Sequence, residues 1–312
     1  MAGTHPLLEA RVRAALERAV SDSLGRAWAI HSFTNLDDRA SHPAGILHGD
    51  NFLVFAKLSR ERDGADLFRA ELGGLAFLRE RTEVATPTPV GEGLVVVDPE
   101  VLFVSEALSE HPPPERTLED WRSVGSTLAT IHRVKGERFG LKGLNGFLGP
   151  FPQDNSPVRS SRWADFYVER RLLPFLSIAV DSGHLPIEVA RSIDPIVTRM
   201  PTLCGPEPTP TLLHGDAQQH NFISTESGAV VADVAPYFGN PELDLALIDI
   251  YHQVPEAVFS AYREFMPIDS QFGERRELWR LYCYLAAVAV EGDSAFGRRM
   301  LSCLVKAVDE YS

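Results

Sequence analysis

Near the start of the chain Leu8, Val12, Ala15, Leu16 and Ala19 return at steps of three and four, one face of a helix, and Gly25 follows as its stop. The period then changes. A polar stretch over residues 32–42 leads to Ala44, Gly45, Ile46 and Leu47, a Gly49-Asp50-Asn51 turn, and the run Phe52, Leu53, Val54, Phe55, Ala56. Two short apolar runs about a turn predict a β-hairpin, with Lys57 at the end of its second strand. Over residues 66–80 the helical period returns with Leu67, Leu75 and Leu78 on one face, and Glu71 falls on that same face. An acid on an apolar stripe needs a partner, because an unpaired buried carboxylate is expensive. Residues 93–97 and 101–104 read as strands, and Pro112, Pro113 and Pro114 then form a stretch that cannot be helix interior. Beyond it the periodicity predicts helices over 118–133, 162–181, 186–200, 244–252 and 274–290, interrupted by a β-rich interlude over 211–233. The expected architecture is α+β, with a small β-rich N-lobe over residues 1–107 and a larger, mainly helical C-lobe over 108–312.

The interlude carries the chemistry. Leu212 and Leu213 end an apolar run that delivers the polar loop His214-Gly215-Asp216-Ala217-Gln218-Gln219-His220-Asn221, and a second run, Ala229 to Ala232, delivers Asp233. Phosphoryl transfer from a nucleotide needs one carboxylate to orient and deprotonate the attacking hydroxyl, and a carboxylate plus an amide to hold Mg²⁺ on the phosphates. Asp216, Asp233 and Asn221 fit those roles; the neutral Asn carbonyl coordinates a hard cation without adding repulsion. Taken singly, Asp216 reads equally well as a turn residue, and only its joint spacing with Asn221 and Asp233 favours chemistry. His214 reads as a loop brace, whereas His220 is less constrained and able to face a substrate. Asp244 opens the expected 244–252 helix and reads as its N-cap. The tripeptide recurs at His48-Gly49-Asp50, but Phe55 stands where the metal asparagine belongs. That copy is read as the hairpin turn, lying where a phosphate-covering loop would precede the Lys57 strand.

Charge and composition narrow the partners. With 30 Lys and Arg against 43 Asp and Glu, the net charge is −13, which argues against nucleic acid as a partner. The apolar run over residues 281–290 is far shorter than the roughly 18 residues a membrane span requires, so no membrane association is expected. Three widely spaced cysteines, Cys204, Cys283 and Cys303, form neither a disulfide framework nor a zinc pattern. Together with the charged N-terminus these features suggest a cytoplasmic protein, and nothing in the sequence calls for an obligate protein partner.

The sequence HGDAQQHN with the later Asp233 resembles the catalytic loop and metal aspartate of the aminoglycoside phosphotransferase and choline kinase superfamily, which is related to protein kinases. Within it the chain more closely resembles the fructosamine kinase, or ketosamine 3-kinase, branch. The blocks GERFG (136–140), GFLGPFPQDN (146–155), WADFYVERRLLPFL (163–176) and DVAPYFGNPELDLAL (233–247) occur in that branch's order. The resemblance implies a protein-kinase-like two-lobed fold and a Mg²⁺-dependent kinase. The γ-phosphate of ATP or GTP would pass to a hydroxyl of a ketosamine or of a sugar-bearing antibiotic, either an aminoglycoside or a capuramycin-type nucleoside. It further implies that Lys57 contacts nucleotide phosphates and pairs with Glu71, that Asp216 is the catalytic base, and that Asn221 and Asp233 bind Mg²⁺. The nucleobase would lie on the backbone of the hinge around Glu106 and Leu108, and Asp244 would brace the catalytic loop. Two departures stand out: residues 32–42 replace the usual small, glycine-containing loop, and Ala217-Gln218-Gln219-His220 stand where the branch shows Leu-Trp-Ser-Gly. Two other classes compete with this reading. One is a metal-dependent hydrolase using His214, Asp216, His220 and Asp233; the other is a catalytically silent binding protein that keeps the fold.

Overall fold

The computed structural model describes residues 5–37 and 42–311. Helix α1 (Ala10–Leu24) buries Val12, Leu16 and Val20 and ends at Gly25, whose φ of 65° is the left-handed C-cap that glycine adopts without strain. Five antiparallel strands follow: β1 (Ser32–Asn35), β2 (Ala44–Gly49), β3 (Phe52–Ser59), β4 (Pro89–Val97) and β5 (Glu100–Glu106), in the order β1-β2-β3-β5-β4, with α2 (Gly64–Arg81) inserted between β3 and β4. The polar stretch at 32–42 is therefore in part a strand, an edge strand with polar residues on its open side; its residues 38–41 lie outside the described ones. The β2-β3 hairpin turns at Gly49-Asp50-Asn51 as expected, but Ala44 faces Lys57 in its register. The ends of β1 and β2 that face one another in sequence, Asn35 and Ala44, thus lie at the Lys57 end of the sheet. The Asp50 turn sits at the opposite end and cannot cover phosphates.

The pleat sorts the sheet into two faces. Val54, Ala56 and Leu58 of β3 and Leu102 and Val104 of β5 pack with Leu47, Leu16 and Val20 under α1. The alternate residues, Phe55, Lys57 and Phe103, turn towards α2. The buried stripe of α2 runs through Phe68, Glu71, Gly74, Leu75 and Leu78; Phe68 takes the place expected of Leu67, which is only partly buried.

After β5 the chain becomes mainly helical. Helix α3 (Leu118–His132) opens with a capping box, in which Thr117 and Asp120 satisfy each other's backbone amides. A short hairpin, β6 (Gly146–Leu148) and β7 (Phe151–Gln153), precedes α4 (Trp163–Tyr167), which continues through a π-helical turn at Val168–Leu172 into α5 (Leu173–Asp181). Two helices, α6 (Ile187–Ser192) and α7 (Asp194–Leu203), replace the single one predicted over 186–200. The interlude comprises β8 (Thr211–Leu212), the hairpin β9 (Phe222–Thr225) and β10 (Gly228–Val231), and β11 (Phe238–Gly239), which pairs with β8. Helices α8 (Pro241–Leu247), α9 (Glu256–Arg263), α10 (Phe272–Glu291) and α11 (Ala295–Tyr311) complete the chain. The sequence pattern missed α9 and α11 and began α8 three residues late. Among the described residues no helix is long and apolar enough to cross a membrane.

Candidate active site

Lys57 reaches the cleft because the period-two pleat of β3 turns it away from the α1 face. Its Nζ lies 2.7 Å from Oε2 of Glu71, and both side chains are about 9% exposed. The cation Glu71 needed is thus supplied from the sheet. Lys57 also donates to the carboxylate of Asp233, whose side chain remains 49% exposed. The Phe103 and Phe68 rings lie 5.0 and 5.6 Å from the amine and add a favourable cation–π environment. Burial works against the ammonium, yet Asp233 and Glu71 hold it charged, above its ordinary range. Burial pushes the Glu71 carboxyl up, and the Lys57 charge offsets only part of that. Asp233 is held low: its partial desolvation in the packed site opposes ionisation, and the charge and hydrogen bond of Lys57 outweigh it.

Asp233 follows β10 with a φ of 49°, a left-handed conformation uncommon outside glycine. Flanking bonds impose it, with Ala232 N donating to Asn221 O at 2.9 Å and Ala235 N to His214 O at 2.9 Å. The same bonds lash this segment to the loop that carries Asp216. There Asn221 Nδ2 donates to the Asp216 carbonyl at 2.8 Å and to its Oδ2 at 3.0 Å. Gln218 Nε2 lies 3.2 and 3.1 Å from the two carboxylate oxygens. Burial pushes the Asp216 carboxyl up to about 7; the Gln218 amide opposes that and the Asp233 charge reinforces it.

Asp244 corrects the sequence reading. It lies inside α8, whose N-cap is Asn240, accepting from Glu242 N at 3.0 Å. Wholly buried, Asp244 instead accepts from His214 N at 2.6 Å, from Gly215 N at 3.1 Å and from His132 at 3.1 Å. It braces the Asp216 loop, as the family resemblance implied. His214 accepts from Asp216 N through Nδ1 at 3.2 Å, so that lone pair is spent on bracing the loop, and burial lowers the ring's pKa. His220 is exposed and its ring meets that of His252 edge-on, 5.6 Å between centroids.

Arg116 was not anticipated. Its side chain is fully buried and donates to Gln219 O at 3.1 Å and to Phe222 O, the carbonyls on either side of Asn221. No local pattern marks it, since its partners lie 103 and 106 residues away. At the end of β5, Glu106 N donates to Thr88 O and Ala107 N to Leu53 O. The next amide, Leu108 N, has no hydrogen-bond partner among the described residues, leaving a backbone donor at the hinge.

The donor set suits a hard cation. Asn221 commits its Nδ2 to Asp216, which leaves its carbonyl oxygen as the ligating atom, and Asp233 offers an exposed carboxylate. One carboxylate and one carbonyl, with phosphate oxygens completing the shell, is the ligation Mg²⁺ favours. The hydrolase alternative needs a different arrangement: among the described residues no three His, Cys, Asp or Glu side chains group as a metal cluster.

The profile of the family described as "Fructosamine kinase" matches residues 12–309. A Synechocystis sp. protein named "Probable ketoamine kinase slr1563" is 29% identical over 279 residues, covering 86% of this chain and 87% of the relative. A crystal structure from Thermobifida fusca, named for fructosamine-3-kinase, superposes with a TM-score of 0.76 at 28% identity, covering 95% of this chain and 99% of that one. A thermostable mutant of aminoglycoside phosphotransferase APH(4)-Ia, solved with ADP and hygromycin B, gives a TM-score of 0.62 at 14% identity, covering 95% of this chain and 98% of that one. That last likeness is one of fold.

Proposed function

Since the chain belongs to the fructosamine kinase family and is a phosphotransferase with an alcohol group as acceptor, we propose that it transfers the γ-phosphate of ATP, bound with Mg²⁺, to a hydroxyl of a ketosamine. The observation that carries this reading is the convergence of Lys57, Glu71 and Asp233 in one contact set, lashed by backbone bonds to the loop that presents Asp216 and Asn221.

In this reading the division at residues 107 and 108 separates a nucleotide-covering N-lobe from a catalytic C-lobe. The Glu106–Leu108 backbone receives the nucleobase. Lys57, kept charged and aimed by Glu71, meets the phosphates. Asn221 and Asp233 would hold Mg²⁺, which supplies charge neutralisation on the phosphate oxygens when bound. Asp216 orients the acceptor hydroxyl and takes its proton as the oxygen attacks phosphorus. Its raised pKa suits a base that must accept a proton near neutrality. The net charge of −13 is compatible with an amine-bearing acceptor. Ketosamines are preferred over antibiotics because relatives matching nearly the whole chain are named for the former, whereas the aminoglycoside phosphotransferase likeness speaks to fold.

The test is phosphate transfer from MgATP and MgGTP to a fructosyl-amine, several aminoglycosides and a sugar-bearing nucleoside antibiotic, read by the mass of the product. Transfer to the fructosyl-amine is expected. Transfer to an antibiotic alone would replace the acceptor, and no transfer together with no nucleotide binding by calorimetry would overturn the reading.

A further inference from the structure

Asp216 must do more than ionise: one of its oxygens has to face the acceptor hydroxyl. Its two oxygens are held unequally. Oδ2 accepts from both Asn221 and Gln218, whereas Oδ1 accepts from Gln218 alone, at 3.2 Å. Asn221 therefore pins one corner of the carboxylate, and Gln218 sets its rotation. Remove the Gln218 amide and the carboxylate can swing about its Oδ2 tether.

The remainder of the loop is secured without that side chain. Arg116 holds the Gln219 and Phe222 carbonyls, Gln219 Nε2 donates to His252 O at 2.9 Å, Asp244 takes the His214 and Gly215 amides, and Asn221 N donates to the Gln218 carbonyl at 2.9 Å. Among the described residues the hydrogen bonds of the half-buried Gln218 side chain go only to Asp216. A loop so thoroughly tied down has no structural use for them.

We propose that Gln218 is a positioning residue for the transfer step, fixing the Asp216 carboxylate so that Oδ1 faces the acceptor hydroxyl. The proposal rests on the kinase reading above and goes beyond it, because the resemblance assigns this position no such amide: the branch shows Trp there. Loss of orientation acts on the reacting geometry and leaves nucleotide contacts untouched. A misplacement of roughly an ångström costs on the order of 100-fold in rate.

The experiment compares wild type with Gln218→Met and Gln218→Leu, two uncharged variants that lack the amide donor. Turnover on a fructosyl-amine, KM for that acceptor, MgATP affinity by calorimetry and melting temperature are measured. Expected is a fall in kcat of about 10- to 100-fold in both variants, with MgATP affinity and melting temperature unchanged and acceptor KM moving little. Turnover within about twofold of wild type in either variant would sink the proposal. So would a parallel loss of MgATP affinity and melting temperature, which would make Gln218 a structural residue. Absence of transfer by the wild type itself would be a different failure, that of the kinase reading, and would take this proposal with it.

Discussion

A carboxylate that serves as a base near neutrality has to be partly withdrawn from water, and that withdrawal destabilises the folded chain. Asp216, the proposed base, shows that withdrawal. Burial raises its folded pKa to about 7, against roughly 3.9 for an unfolded aspartate. The native state therefore holds the proton more tightly, so the stability linked to this group is fully present below about pH 4 and is lost as pH rises through about 7. Replacing it by a neutral amide removes that penalty. Asp216→Asn is expected to lose about 100- to 10,000-fold in turnover while keeping nucleotide affinity. Its melting temperature should exceed the wild-type value by more at pH 8 than at pH 5. In the wild type, kcat/KM for the acceptor should fall on the acid side of about pH 7, where the base is protonated. Near-normal turnover by the asparagine variant would assign the base elsewhere.

At the level of the element, register decides the site. A slip of one residue in β3 would turn Lys57 under α1 and Ala56 into the cleft. The catalytic loop is equally intolerant. Gly215 has a φ of 87°, and a Cβ there would stand 2.0 Å from the Ala235 carbonyl oxygen, within the strap that follows Asp233. Gly215→Ala should therefore lose more than about 1 kcal/mol of stability and, by displacing Asp216, on the order of 100-fold in kcat. Gly143 provides the control, with a φ of 86° and nothing within 4 Å of its added Cβ. Gly143→Ala should lose about 1 kcal/mol by urea unfolding but keep its kcat. Equal activity loss in both variants would show that general destabilisation, not loop displacement, is responsible.

Across the whole molecule, the core that begins under α2, with Phe68, Leu75 and Leu78, runs without interruption to Leu304 and Val308 of α11. A second, separate core joins α1 to the other face of the sheet. The sheet thus rests on the helical part through α2, the helix that carries Glu71, and a nucleotide held as proposed, between Lys57 and Asp233, would engage both parts at once. MgATP at 100 times its Kd should stabilise the protein by about 2.7 kcal/mol, visible as a rise in melting temperature that requires the metal. In Asp233→Ala the metal-dependent part of that rise should vanish. A variant stabilised as strongly as wild type by MgATP, and not by ATP alone, would place the metal on other side chains.

Legible in the residues are the parts whose partners are near in the chain or whose chemistry is spelled in side-chain type. The α1 stripe and its Gly25 stop, the β2-β3 hairpin, and the Asp216, Asn221 and Asp233 spacing around two apolar strands are all local. Glu71 was legible for another reason, since an acid on an apolar face demands a cation wherever that cation comes from. The family resemblance pointed to Lys57 as that cation and to Asp244 as a brace, and the folded chain supplies the contacts that composition and periodicity could not: Lys57 against Glu71, Phe68 turned inward in place of Leu67, and Asp244 on a loop 30 residues upstream instead of at its own helix's cap. The fold likewise sets the contacts of Arg116 and Gln218. A guanidinium finds carbonyls more than 100 residues away only when the fold brings them together. A glutamine beside an aspartate reads as any polar loop pair until the backbone turns its amide onto both carboxylate oxygens.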